Sequence, residues 1–150
     1  MHQGIQIDES HSPLVLLRVG NRVSLPDMER YLRGLEDLFA RRKPFAAIVL
    51  VRDRGELDRK VLGLYGDWTK RNVALLEEYW VGVAFVFPSA TLRFLLSAIL
   101  LAAPSATPHE VFDRPDTALR WCDTRLSTRS LRAPSLDLTT LWGPLGVPDR

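Results

Sequence analysis

Phe45-Ala46-Ala47-Ile48-Val49-Leu50-Val51 is the stretch that decides the fold of this chain. A strand with one wet face would alternate apolar and polar residues. This run is apolar throughout, so it reads as a strand buried on both faces, the signature of a central parallel strand. Parallel neighbours cannot be joined by tight hairpins and need crossover connections, usually helical. Helical periodicity should therefore flank the run on both sides, and it does.

Upstream, Ser24-Leu25-Pro26-Asp27 has the form of a helix start. Ser24 can cap, Pro26 suits a first turn, and Asp27 stands three residues after the cap. Met28, Tyr31, Leu32, Leu35, Leu38 and Phe39 then follow the 3.6-residue period. The helix should stop near Arg41-Arg42-Lys43, where cations complement its dipole, and before Pro44. Leu14 to Val19 reads as a strand ending at the Gly20-Asn21 turn signal. Gly4 to Asp8 alternates, as a preceding edge strand would.

Downstream, Arg52, Asp53, Arg54, Glu56, Asp58, Arg59 and Lys60 form a charged stretch. One long helix is expected from about Glu56 to Tyr79, with Leu57, Val61, Leu64, Trp68, Leu75, Leu76 and Tyr79 as its apolar stripe. Asn72 falls on that stripe and should need a hydrogen-bond partner if buried. Val81 to Phe87 reads as a strand, Ser89 as a cap, and Ala90 to Ala103 as a helix closed by Pro104. His109 to Phe112 is a short last strand. Asp113-Arg114-Pro115-Asp116 opens a final helix with Ala118, Leu119, Cys122 and Leu126 facing inward. Strands alternating with helices imply an α/β fold with a mostly parallel sheet of four or five strands and four helices, in the order β-β-α-β-α-β-α-β-α. Residues 1–126 make up the domain. Residues 127–150 hold three prolines among scattered Ser, Thr and apolar residues, and read as an irregular tail or arm.

The element order, with Asp53-Arg54-Gly55 after a central strand, resembles the SpoIIAA-like or STAS domains and the bacterial STAS/SEC14-like group. Gly82-Val83-Ala84-Phe85-Val86-Phe87-Pro88-Ser89 is similar to their fourth strand and turn. Phe112-Asp113-Arg114-Pro115-Asp116-Thr117-Ala118-Leu119-Arg120-Trp121 is similar to their last strand running into a helix. The resemblance implies a regulatory or signal-transduction module that binds a partner protein. Some such domains are switched by phosphorylation of a serine after the third strand, but residues 52–60 contain no Ser or Thr. Asp53, Arg54 and Glu56 remain as charged candidates in that loop. Asp53 or Glu56 would place a fixed negative charge near a helix N-terminus, and a solvated capping loop is the simpler reading.

Composition narrows the function classes. Of the 150 residues, 46% are apolar and 25% charged, as in an ordinary folded domain. The balance of 20 basic against 18 acidic side chains does not argue for a nucleic-acid partner. Cys122 is the lone cysteine, which fits a reducing cytoplasm. The first residues lack the basic start and apolar run of a signal peptide. The most apolar stretch, Leu92 to Ala103, is well short of the roughly 20 residues a membrane span needs.

The motifs of catalysis are missing from the sequence. There is no G-x-S-x-G elbow, no phosphate-binding glycine loop and no cluster with metal-ligand spacing. His109 and Glu110 are neighbours on a strand and point to opposite faces. Cys122, on an inward stripe, reads as a structural thiol. The chain is therefore expected to be no enzyme, to require no cofactor or metal, and to act by binding.

The helix from Ala90 to Ala103 carries the strongest functional hint. Leu92, Leu95, Leu96 and Ile99 make one apolar stripe, and Phe94, Ala98 and Leu101 make a second. A sheet shelters only one of them. The second needs the tail, another subunit, a partner protein or an apolar ligand, since each large apolar side chain gains about 1.5–3 kcal/mol from burial. Trp121, offset from its helix's inward stripe, and Trp142, in Leu141-Trp142-Gly143-Pro144-Leu145, extend the candidate partner-binding set. A protein partner or a homodimer is the first expectation; binding or sensing of an apolar small molecule or lipid is the alternative.

Overall fold

The computed structural model describes residues 4–20, 22–51, 58–87, 90–91, 93–94, 97 and 107–136. The elements are β1 (Ile5–Asp8), β2 (Leu14–Val19), α1 (Leu25–Ala40), β3 (Phe45–Val51), α2 (Arg59–Arg71), α3 (Val73–Tyr79), β4 (Trp80–Val86), β5 (His109–Phe112) and α4 (Pro115–Ser127). Between β4 and β5 the described residues Ala90, Thr91, Arg93, Phe94 and Ser97 are helical.

The sheet has five strands in the order β1-β2-β3-β4-β5. β1 runs antiparallel to β2, and every other pairing is parallel. β3 lies at the centre and all seven of its residues are buried, as its unbroken apolar run requires. Each parallel crossover moves one strand in the same direction, so the order never reverses. A doubly wound sheet opens its ligand crevice where the order does reverse. Among the described strands there is no such point.

The pleat divides the strands between two cores. Val15, Leu17, Phe45, Ala47, Val49, Val51 and Val83 join α1, α2 and α3 in one. Leu14, Leu16, Ala46, Ile48, Leu50, Ala84 and Val86 meet Ala118, Cys122 and Leu126 of α4 in the other. An irregularity opposite Phe45 and Ala46 lets Trp80 stay on the first face while Gly82 turns to the second. Phe39, Phe45, Trp68 and Trp80 form an aromatic cluster with ring centroids 5.4–6.1 Å apart. Trp68 Nε1 donates to Glu36 Oε2 at 2.9 Å.

α1 begins with the capping box its sequence predicts. Ser24 Oγ accepts from the Asp27 amide at 3.1 Å, and Asp27 Oδ2 accepts from the Ser24 amide at 2.9 Å. Such a cap contributes about 1 kcal/mol. The chain leaves α1 through Arg42, whose φ of 55° is the left-handed conformation common one residue past a helix cap.

The single helix expected from Glu56 to Tyr79 is instead two. Asp58 caps α2 by accepting from the Lys60 amide at 2.8 Å. Asn72, at φ −119° and ψ 25°, then leaves helical geometry and separates α2 from α3. Its Nδ2 donates to the Trp68 carbonyl at 2.8 Å. Asparagine competes for backbone groups in this way, and here that competition ends the helix. The apolar stripe continues across the break, which is why periodicity alone predicts one element. β4 also begins one residue earlier than expected, at Trp80.

After α4 the chain stays on its own domain as far as residue 136. Leu131, Ala133 and Leu136 pack against the α4 core. Arg132 clamps Asp123 with both Nε and Nη2, and the Ala133 amide donates to Asp123 Oδ1 at 2.8 Å. Arg129 Nη2 reaches the Glu78 carbonyl at 2.6 Å. No described helix is long and apolar enough to cross a membrane.

Candidate interaction face

The helical residues after β4 present an unusual surface. Ala90, Thr91, Phe94 and Ser97 are all exposed, and Phe94 is 73% exposed. Arg93 does not face outward freely, because its Nη1 donates to the Phe87 carbonyl at 2.9 Å. Positions three and four residues apart share a helix face, so Ala90, Thr91 and Ser97 surround Phe94 with small, uncharged groups. The outer face of α1 differs: Glu29, Arg30, Arg33, Glu36 and Asp37 are all exposed there. Of Ala90, Thr91, Phe94 and Ser97, Phe94 is the aromatic type enriched at interfaces.

Trp121 occupies a different place. It is half-buried on α4, and its ring meets that of Phe112 at a centroid distance of 6.0 Å. It also lies over Gly82, where a Cβ would sit 3.0 Å from Trp121 Cζ3. The glycine thus makes room for the indole. Trp121 packs against the core on the α4 side of the sheet. Ala98, Leu101, Trp142, Asp53, Arg54 and Glu56 lie outside the described residues.

The ionisable groups are tied to structural duties. Asp8, in β1, receives the Ser10 amide at 3.0 Å, Ser10 Oγ at 2.6 Å and Arg18 Nη1 at 3.3 Å. Burial raises its pKa, but the bonds from Ser10 and Arg18 outweigh that and hold the carboxyl below its ordinary range. Arg18 is buried on the same face as Leu14 and Leu16, beside that carboxylate. Asp27 is lowered by the Ser24 amide, Asp116 by Arg114 and Asp123 by Arg132. Glu9 pairs with Arg41 next to a recess of about 50 Å³ lined also by Ser12, Val15, Leu38 and Phe45. That volume takes a water or two, not a lipid chain.

Cys122 is fully buried, donates weakly to the Ala47 carbonyl at 3.6 Å, and burial pushes its thiol up to about 12. A reactive thiol is shifted the other way. Burial likewise pushes Tyr65 up to about 12. His109 is half-buried with Nδ1 3.0 Å from the Thr107 carbonyl, and Glu110 is exposed. Among the described residues no three His, Cys, Asp or Glu side chains gather as a metal site would need.

The half-buried Asp8–Arg18 pair escaped the sequence reading, although a signal existed. Arg18 stands four residues after Leu14 in an apolar strand and so shares its buried face, which obliges it to find an acceptor. Its closest acidic candidate on a neighbouring strand was Asp8. Gly63 and Gly66 were also missed: both sit inside α2, and a Cβ at either would meet no atom within 4 Å. No family model, curated protein or solved structure matches the chain.

Proposed function

We propose that this chain is a non-catalytic interaction module that binds a protein through the helix face marked by Phe94. The single observation carrying this reading is a phenylalanine left 73% exposed on an uncharged helix face. An apolar ring of that size gains about 1.5–3 kcal/mol when covered. Among the described residues, Asp27 is engaged in capping, Asp8 in pairing with Arg18, Cys122 in core packing and Asp123 in holding Arg132 and Ala133 after α4. The STAS-like resemblance of the sequence is the ground for reading the chain as a bacterial regulatory module of the cytoplasm; the mostly parallel five-stranded α/β sheet is the coarser feature compatible with it.

The test is a pull-down from native lysate with the intact chain and its Phe94→Asp variant, with circular dichroism as the control for folding. Loss of a specific captured band in the folded variant agrees with the proposal. An identical set of captured proteins for both forms contradicts it.

A further inference from the structure

The segment that follows α4, Leu131 to Leu136, lies on the sheet without joining it. Its place follows from α4. Trp121 and Arg125 occupy one flank of that helix, against Gly82 of β4, and Trp121 also meets Phe112 of β5. Cys122 reaches the Ala47 carbonyl of β3. At 3.6 residues per turn Asp123 stands roughly 200° round the helix from Trp121, on the opposite flank, toward β2. There Arg132 and the Ala133 amide meet Asp123. The segment thus returns along α4 on its β2 side. Leu131, Ala133 and Leu136 pack on the core that holds Leu14 and Leu16 of β2, both fully buried.

We infer that this segment is a self-docked strap that opens as a unit, and that the groove it leaves beside α4 binds a partner's extended peptide of the same chemistry, a leucine followed directly by arginine and, four residues later, a second leucine. The strap has no regular secondary structure, and its three apolar side chains are half-buried rather than buried. Arg132 is 77% exposed, so water screens its pair with Asp123. Segments held by few buried apolar contacts and by hydrogen bonds open to solvent are the ones that unfold locally. β3, buried along its whole length, is not such a segment. Opening would uncover apolar core surface beside a carboxylate that accepts two guanidinium bonds at 2.9 Å and a main-chain amide at 2.8 Å. That acceptor set selects arginine over lysine through its bidentate geometry, and reads the backbone of an extended chain as well. The groove is separate from the Phe94 face, so either reading can fail alone.

Two measurements on the full chain test this. The first uses a fluorescein-labelled peptide of residues 129–136, Arg-Ser-Leu-Arg-Ala-Pro-Ser-Leu. Its anisotropy is followed with the parent chain and with the triple variant Leu131→Ser, Arg132→Ala, Leu136→Ser, which loses the strap's anchors and keeps Asp123. The peptide should bind the variant at least about tenfold more tightly than the parent, because the parent's groove is already occupied. Lysine at the place of Arg132 in the peptide should remove most of that binding. Equal affinity for both chains, or no binding to a variant whose circular dichroism shows it folded, overturns the inference. The second measurement needs no variant: native-state hydrogen exchange compares the Ala133 amide with the Ile48 amide of β3. Ala133 should be protected, yet exchange at least about a hundredfold faster than Ile48. Exchange of the two in step means that the strap opens only with the whole fold, and an unprotected Ala133 means that it is not docked; either result overturns the inference.

Discussion

Replacing Gly63 and Gly66 with alanine should stabilise the protein, and the size of the gain can be worked from the structure. Both residues lie well inside α2, and neither has an atom within 4 Å of where a Cβ would project. Alanine therefore meets no steric cost at either site. Glycine inside a helix is less favourable than alanine by about 0.5–1 kcal/mol, because it gives up more backbone freedom on folding. The double substitution should then add about 1–2 kcal/mol. For a domain of this size each kcal/mol moves Tm by about 2–4 °C, so the expected rise is about 2–8 °C. Thermal melts followed by far-UV circular dichroism, at low protein concentration, would read it. Gly82→Ala is the built-in contrast. Its Cβ would lie 2.9 Å from Arg125 Cγ and 3.0–3.1 Å from the Trp121 ring, so overpacking should cost about 1–3 kcal/mol. A fall in Tm for Gly63→Ala and Gly66→Ala would refute the reasoning, since it would mean that the outer face of α2 is covered in the folded protein.

Trp80→Phe should be close to neutral: the buried indole N–H has no acceptor, so losing it recovers about 1–3 kcal/mol and offsets the smaller ring's cavity. Trp68→Phe should cost more, because it breaks the bond to Glu36; paired urea titrations would compare the two. Asp8→Asn should cost about 1.5–3 kcal/mol at neutral pH by weakening the bonds from Ser10 and Arg18. Since the folded Asp8 carboxyl is lowered, its contribution is complete above the ordinary carboxylate range and is lost as pH falls through the folded value. Urea midpoints measured from pH 7 downward should accordingly show a shallower acid loss in Asp8→Asn than in the parent. Cys122 should resist thiol reagents in the native protein and react at the rate of local or global opening, which Ellman's reagent with and without urea would show.

How much of this was legible in the linear sequence depended on whether the deciding interaction was local. The unbroken run of Phe45 to Val51 required burial on both faces, and the central strand has it. The Ser24–Asp27 capping box involves residues three apart and was visible for the same reason. The break at Asn72 was hidden, because apolar spacing runs through it and only the side chain's bond to Trp68 distinguishes a stop from a continuation. The seat of Trp121 over Gly82 joins residues of β4 and α4 that are far apart in sequence, and no local rule brings them together. The second apolar stripe beside Phe94 was readable as an excess of apolar surface over what one sheet shelters. The exposure of Phe94 itself is seen only in the structure.

The central claim is that the Phe94 face is open on the isolated chain and covered by protein in the assembled state. A cysteine placed beside it reports this directly, using exposed Ser97→Cys in a Cys122→Ala background so that Phe94 is kept and a single thiol remains. Maleimide labelling should be fast in dilute purified protein and at least about tenfold slower inside cells. Equal rates in the two settings, or slow labelling of the dilute chain, would contradict the account.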